Sequence, residues 1–245
     1  MFKKLTLLTS LLFIFTSIAW AQIPDKFTNL QVLPKLISKD KLLETMRSFT
    51  DALGVDCGFC HADQEGTNKL DFPSDKKTEK EEARIMLKMV QGINKDYLSQ
   101  LSEYTKNVME VECITCHRGN QKPLMLENVL LSTIKDKGLP EAVNTYHKLH
   151  DQYYGSFTYD FSDHTLVKLI EMLNEEKMYD DAVGIANLNL EMYPKSGVAF
   201  YGLGEAYQAK GNKEQALTNY QKAKELMPEG ARFIDRKIQQ LQKQE

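Results

Sequence analysis

The four cysteines of this 245-residue chain fall in two clusters of one shape, Cys57-Gly58-Phe59-Cys60-His61 and Cys113-Ile114-Thr115-Cys116-His117. In a C-x-x-C-H run each thiol can add to one vinyl group of haem, and the adjacent histidine can reach the iron from one face, which is c-type attachment. Two matches that use every cysteine, in a chain with only five histidines, make a specific signal. It assigns two covalently attached haem c groups, with Cys57, Cys60, Cys113 and Cys116 as tethers and His61 and His117 as axial iron ligands. A zinc ion shared by the two pairs would not require a histidine after each, and the pairs lie over fifty residues apart. A disulfide inside C-x-x-C closes a very small loop, usually redox-active rather than structural.

The elements that must present these clusters are helical. Before the first, Leu42, Leu43, Met46, Phe49 and Leu53 recur at helical spacing. Ser38 or Asp40 can cap the start of that helix and Gly54 can end it. Met46, mid-stripe, can serve as core or as the thioether on the other side of the first iron, where a soft sulfur ligand favours Fe(II) and raises the potential. Before the second cluster, Glu79–Ile93 reads as a helix with Ala83, Met86, Met89, Val90 and Ile93 on one face and acidic residues in its first turn, as the helix dipole prefers. Met86 and Met89 are neighbours on that face, so at most one of them ligates. Met109 is only four residues from Cys113, too close to fold back over an iron.

Over roughly residues 27–123 the sequence resembles the cytochrome c subunit of photosynthetic reaction centres and its non-photosynthetic relatives. The resemblance is carried by Asn29-Leu-Gln-Val-Leu-Pro34, by Met46 to His61 with Leu53-Gly54-Val55, and by Asp71-Phe72-Pro-Ser-Asp75-Lys76. Ala83-Arg84-Ile-Met86-Leu-Lys-Met89-Val, Ile93-Asn94 and Cys-Ile-Thr-Cys-His-Arg118-Gly119 complete it. It implies that each haem lies along the helix preceding its motif with a helix methionine as distal ligand, which selects Met46 for the first haem and favours Met86 over Met89 for the second. The photosynthetic subunit carries four haems and this chain has two motifs, so light-driven chemistry does not carry over.

From Leu126 onward cysteine is absent and a 34-residue period appears. Ala182 aligns with Ala216, Pro194 with Pro228, Leu169 with Leu203 and Glu191 with Glu225. With Phe200, Gly204, Tyr207, Tyr220 and Ala223, this fills the tetratricopeptide pattern of paired helices over 163–195 and 197–228. Arg232–Gln244 reads as a capping helix. Residues 126–151 read as a degenerate earlier pair turning at Gly138, and Tyr153–Asp160 interrupts the period. His147, His150 and His164 read as solvated helix-surface histidines. Such arrays stack into a curved solenoid whose concave face commonly binds a protein segment.

Residues 1–21 have Lys3 and Lys4, an apolar run and Ala19-Trp20-Ala21, the layout of a secretory signal peptide. If left uncleaved, the segment would be a membrane anchor. The expected organisation is all-α, with a signal peptide over 1–21, a dihaem domain over 22–124 and a helical repeat domain over 125–245. The net charge of −3 excludes the basic excess of a nucleic-acid binder. Gln22–Met125 carries 15 basic and 16 acidic residues, so most of the negative charge lies in the repeat half and favours a neutral or basic partner surface there. Arg118, beside His117, is a candidate partner for a haem propionate.

With His and Met on opposite sides of each iron, no position is left for substrate, and the chemistry is outer-sphere electron transfer. The expected protein is a periplasmic dihaem electron carrier rather than an enzyme. Its expected partners are redox proteins, such as a quinol-oxidising complex, a terminal oxidase or another cytochrome, with docking through the repeats and association with a membrane complex. The alternatives are a dihaem enzyme such as a peroxidase, which needs an open iron, and a haem-based redox sensor or scaffold.

Overall fold

The computed structural model describes residues 26–243, so the expected signal peptide lies outside the described residues. Among the described residues no helix is long and apolar enough to cross a membrane. The described residues are all-α as expected, with a single small hairpin among them.

Ser38 Oγ accepts the backbone N–H of Lys41 at 3.3 Å, capping α1 (Lys39–Leu53), which stops at Gly54 in the left-handed region (φ +65°). After Val55 and the extended Asp56 comes α2 (Cys57–Cys60), a single turn closed by the His61 N–H on the Cys57 carbonyl at 3.1 Å. Strands β1 (Ala62–Asp63) and β2 (Leu70–Asp71) then pair antiparallel, Ala62 opposite Asp71. Helix α3 (Thr78–Gly92) runs into a π turn, Ile93–Tyr97, and a 3₁₀ stretch, Leu98–Glu103. The second cluster is itself a short helix, α4 (Cys113–His117).

The remaining helices are α5 (Leu126–Lys137), α6 (Leu139–Tyr153), α7 (Asp163–Glu175), α8 (Tyr179–Met192), α9 (Gly197–Ala209), α10 (Lys213–Leu226) and α11 (Ala231–Gln242). The expected 34-residue period is visible in their geometry. Helices α7 and α9 begin 34 residues apart, as do α8 and α10. Each pair is joined by a turn with a positive-φ residue, Lys177 in one and Gly211 34 residues later. The hydrogen bond closing the turn repeats as well, Met178 N to the Leu173 carbonyl and Asn212 N to the Tyr207 carbonyl, both 2.8 Å. The degenerate pair is present as α5 and α6, which turn at Gly138 (φ +86°).

The chain forms two compact units. One takes in the chain up to Arg47 together with Asp56–Val111; the other is Ser48–Val55 together with Glu112–Glu245. This division falls at residue 111 rather than at the change of composition near 124, and it groups the second cysteine cluster with the helical repeats.

Apolar burial is very unequal between the units. Leu126, Leu130, Tyr146, Leu166, Leu169, Ile170, Leu173 and Ile185 form one continuous core in the second unit, and Tyr220, Ala223, Ile234 and Leu241 form another. Fully burying each large side chain contributes about 1.5–3 kcal/mol, so this unit is stabilised by its own side chains. In the first unit, Leu42 and Ala62 are the only buried apolar residues among those described.

Close packing within a helix pair is set by small residues. A Cβ on Gly204 would lie 2.6 Å from the ring of Tyr220, a large side chain that is fully buried. Gly204→Ala should therefore overpack the α9–α10 contact and destabilise the second unit by ~1–3 kcal/mol. Chemical denaturation followed by circular dichroism checks this, and an unchanged midpoint would contradict it.

Candidate haem sites

In the first unit, α2 places Cys57 and Cys60 one turn apart on one side of a single helical turn. Lys77 Nζ donates to the Gly58 carbonyl within that turn. The β1–β2 register then sets residue 72 opposite residue 61. Phe72 meets the His61 ring edge-on, centroids 5.0 Å apart at 69°. His61 Nδ1 is buried with no hydrogen-bond partner. Burial, reinforced by the charges of Lys80 and Lys77, pushes the His61 pKa down. The imidazole is thereby held neutral, the form that binds a metal. Burial likewise pushes the Cys60 thiol up, with the Glu79 carboxylate adding to the effect.

The loop behind this motif is held by a polar knot. Asp75 accepts from Arg84 at 2.8 Å, from Asn29 at 2.9 Å and from Lys80 at 3.1 Å. Arg84 also pairs with Glu81 at 2.8 Å, and Lys80 donates to the Phe72 and Ser74 carbonyls at 2.9 and 2.8 Å. Arg84 is buried, so α3 turns a guanidinium inward where its pattern predicted methionines. Met86 and Met89 are 37% and 45% exposed, and Ile85 beside them 58%, which leaves apolar side chains of α3 partly open to solvent. Past α3, Asn94 pairs with both backbone groups of Val111, its Nδ2 donating to the carbonyl and its Oδ1 accepting the N–H, each at 2.8 Å. That closes the loop between them and ends it two residues before Cys113.

In the second unit the Glu112 N–H bonds to Thr115 Oγ1 at 3.0 Å, capping α4. Burial pushes the Cys113 thiol up. His117 Nδ1 lies 2.9 Å from the Asn120 carbonyl. A carbonyl can only accept, so Nδ1 carries the proton and Nε2 keeps its lone pair for a metal. Arg118 follows in the left-handed region (φ 51°), and its Nη2 reaches Met125 Sδ at 3.5 Å. The Gly119 N–H donates to the Ala52 carbonyl at 2.8 Å. Any Cβ on Gly54 would stand 2.2 Å from the Gly119 carbonyl oxygen.

These residues suit haem c: paired thiols on single helical turns, one imidazole fixed in the ligating tautomer and one held neutral, and partly exposed apolar side chains on α3. Met46 lies half-buried on α1. The family model described as Photosynthetic reaction centre cytochrome C subunit matches residues 23–137. Over that segment the chain is similar to this family. Cytochrome c-554 of Chloroflexus aurantiacus is 34% identical over 109 residues, 44% of this chain and 24% of that protein. The photosynthetic reaction center cytochrome c subunit of Rubrivivax gelatinosus is 28% identical over 93 residues, 35% of this chain and 24% of that protein. The chain thus spans about a quarter of the length of these two relatives.

The cytochrome-like segment contains positioning residues that the motifs did not reveal. Asn29, Asp75, Arg84 and Asn94 were visible as points of resemblance, but their roles were not. Phe72 follows from the hairpin register, while Asn120, three residues after His117, had no sequence signal. His150 also departs from expectation. It is half-buried and stacked on Tyr154 at 4.5 Å rather than solvated, whereas His164 is exposed.

Asp75 generates a pH prediction. Its hydrogen bonds, that from Arg84 first, hold its carboxyl well below the usual carboxylate range. A depressed folded pKa contributes stability that is present above the unfolded value, about 3.9, and is lost as pH falls towards the folded value. The wild-type thermal midpoint should accordingly drop below about pH 4. Asp75→Asn should be less stable at pH 7 and show a flatter acid limb; parallel profiles would refute the role given to Asp75.

Proposed function

We propose that the protein is an exported dihaem c-type cytochrome that passes single electrons between protein partners. One haem is tethered by Cys57 and Cys60 with His61 as proximal ligand, the other by Cys113 and Cys116 with His117. The observation that carries the reading is the His117–Asn120 hydrogen bond, which leaves Nε2 as a ligand directly after a C-x-x-C turn. Similarity to a cytochrome c family over 23–137 supports it.

When bound, haem c supplies a reversible Fe(III)/Fe(II) couple. The protein's part is to hold that couple in place and tune it. The cysteines fix each group covalently. The two histidines donate from one side, and Met46 and Met86 are the proposed ligands on the other, Met86 being preferred to Met89. Held by His61, His117, Met46 and Met86, the irons would have no position left for substrate, and the groups would supply electron transfer alone. Arg118 is the proposed partner of a propionate. The first unit buries little of its own apolar surface, and a large apolar macrocycle would provide what a small domain otherwise lacks. The repeat helices are the proposed docking module, of tetratricopeptide type. The proposed setting is the periplasm, with a quinol-oxidising complex, terminal oxidase or other cytochrome as partner.

Mass spectrometry of the purified protein should find two covalent haems, one lost in Cys57→Ala/Cys60→Ala and the other in Cys113→Ala/Cys116→Ala. Met46→Ala should abolish the methionine–iron charge-transfer band of one haem. Both reduced haems should ignore carbon monoxide and both oxidised haems should ignore cyanide and peroxide. Rapid reaction with peroxide would move the assignment to an enzyme.

A further inference from the structure

We propose that Thr158 and Tyr159 are positioning residues for the second haem, holding the Arg118–Asn120 turn so that the Asn120 carbonyl stays on His117 Nδ1. The proposal rests on the reading of Cys113–His117 as a haem site. Both residues lie in the stretch Tyr153–Asp160 that interrupts the 34-residue period, so the segment that breaks the repeat is the one that touches the motif.

The contacts hold three successive residues from outside the turn. Thr158 Oγ1 donates to the Arg118 carbonyl at 2.7 Å. Gly119 is held through its N–H by the Ala52 carbonyl at 2.8 Å. Asn120 Nδ2 donates to Tyr159 Oη at 2.6 Å. Arg118 sits in the left-handed region, which is unfavourable for a non-glycine residue and persists only where its surroundings enforce it. Tyr159 is itself fixed, its ring edge-on to Tyr153 at 5.4 Å and to Phe161 at 6.1 Å, with Phe161 packed on buried Tyr146 at 5.8 Å. The turn is therefore anchored to the core of the helical unit.

A histidine that donates its second N–H to a carbonyl is a stronger electron donor to its metal. A stronger donor stabilises Fe(III) and lowers the potential. Loosening the turn weakens that bond, so the potential of the second haem should rise while that of the first stays put.

The test uses the full-length holoprotein. Tyr159→Phe keeps the ring and removes the oxygen that accepts from Asn120; Thr158→Val keeps the shape and removes the donor to Arg118. Spectroelectrochemical titration should show the same wave moving to higher potential in both variants, and that wave should be the one retained by Cys57→Ala/Cys60→Ala. Thr158→Ser, which keeps the hydroxyl, should restore the wild-type value and carries the test if Tyr159→Phe does not fold. Proton NMR should show the His117 Nδ1 proton exchanging with deuterium faster in the variants than in the wild type. Two waves and an Nδ1 proton that remain as in the wild type, on a protein whose Cys113–Cys116 peptide carries haem, would overturn the clamp and leave the haem reading standing. A peptide without the haem mass would overturn the haem reading first.

Discussion

A single backbone approach, between the end of α1 and the turn after the second motif, ties Ser48–Val55 to the segment that begins at Glu112 and so assembles the second unit. The Gly119 N–H meets the Ala52 carbonyl at 2.8 Å, and Gly54 approaches the Gly119 carbonyl so closely that no Cβ fits. Gly54 stands three residues before Cys57, and Gly119 two residues after His117. The approach requires glycine at residue 54 for two reasons: space against another backbone, and a positive φ that ends the helix. A larger residue there would push against the turn that follows the second motif, a dependence that the motif does not show when read alone.

The two units illustrate two ways of holding a chain together. The helical unit relies on hydrophobic burial, with side chains at the repeat positions removed wholly from water. The first unit relies on specific polar contacts: Asp75 with Arg84, Lys80 and Asn29, and Asn94 with Val111. Such pairings fix geometry well but contribute modest net free energy each, about 0.5–1.5 kcal/mol for an ordinary hydrogen bond. A unit built this way is well suited to be completed by a large apolar group. The partly exposed side chains of Ile85, Met86 and Met89 on α3 offer apolar surface to such a group.

What was legible in the sequence was what repeats. The C-x-x-C-H clusters, the apolar stripe of α1, its glycine stop and the 34-residue period all leave regular spacing, because helical and repeat geometry return the same environment at fixed intervals. Polar pairings leave no such trace. Arg84 looked like one more charged residue on α3, and its burial follows from Asp75, nine residues upstream, and from Asn29 in a third segment. The methionine face of α3 was read correctly as apolar, but periodicity alone cannot say whether protein covers it. His150 was misread because its neighbours Tyr154 and Phe161 belong to the irregular stretch, where no period exists to place them.

That stretch also bears on how the molecule divides. Composition changes near residue 124, where the cysteines end, and a division there treats the repeats as an attachment to a finished haem domain. The contacts divide the chain at 111, and the turn after His117 is bonded to Thr158 and Tyr159, some forty residues later in the helical unit. A ligand's second hydrogen bond sets both its tautomer and its donor strength. The packing of the helical unit and the electronics at His117 are thus linked through Asn120. A displacement of α6 or of the loop after it, as by a protein seated on the repeats, would reach that hydrogen bond through the Tyr159–Asn120 contact. On the proposed reading, with haem at Cys113–His117 and a partner on the repeats, this arrangement would give a physical route from docking to redox poise, which a flexibly tethered binding module would lack.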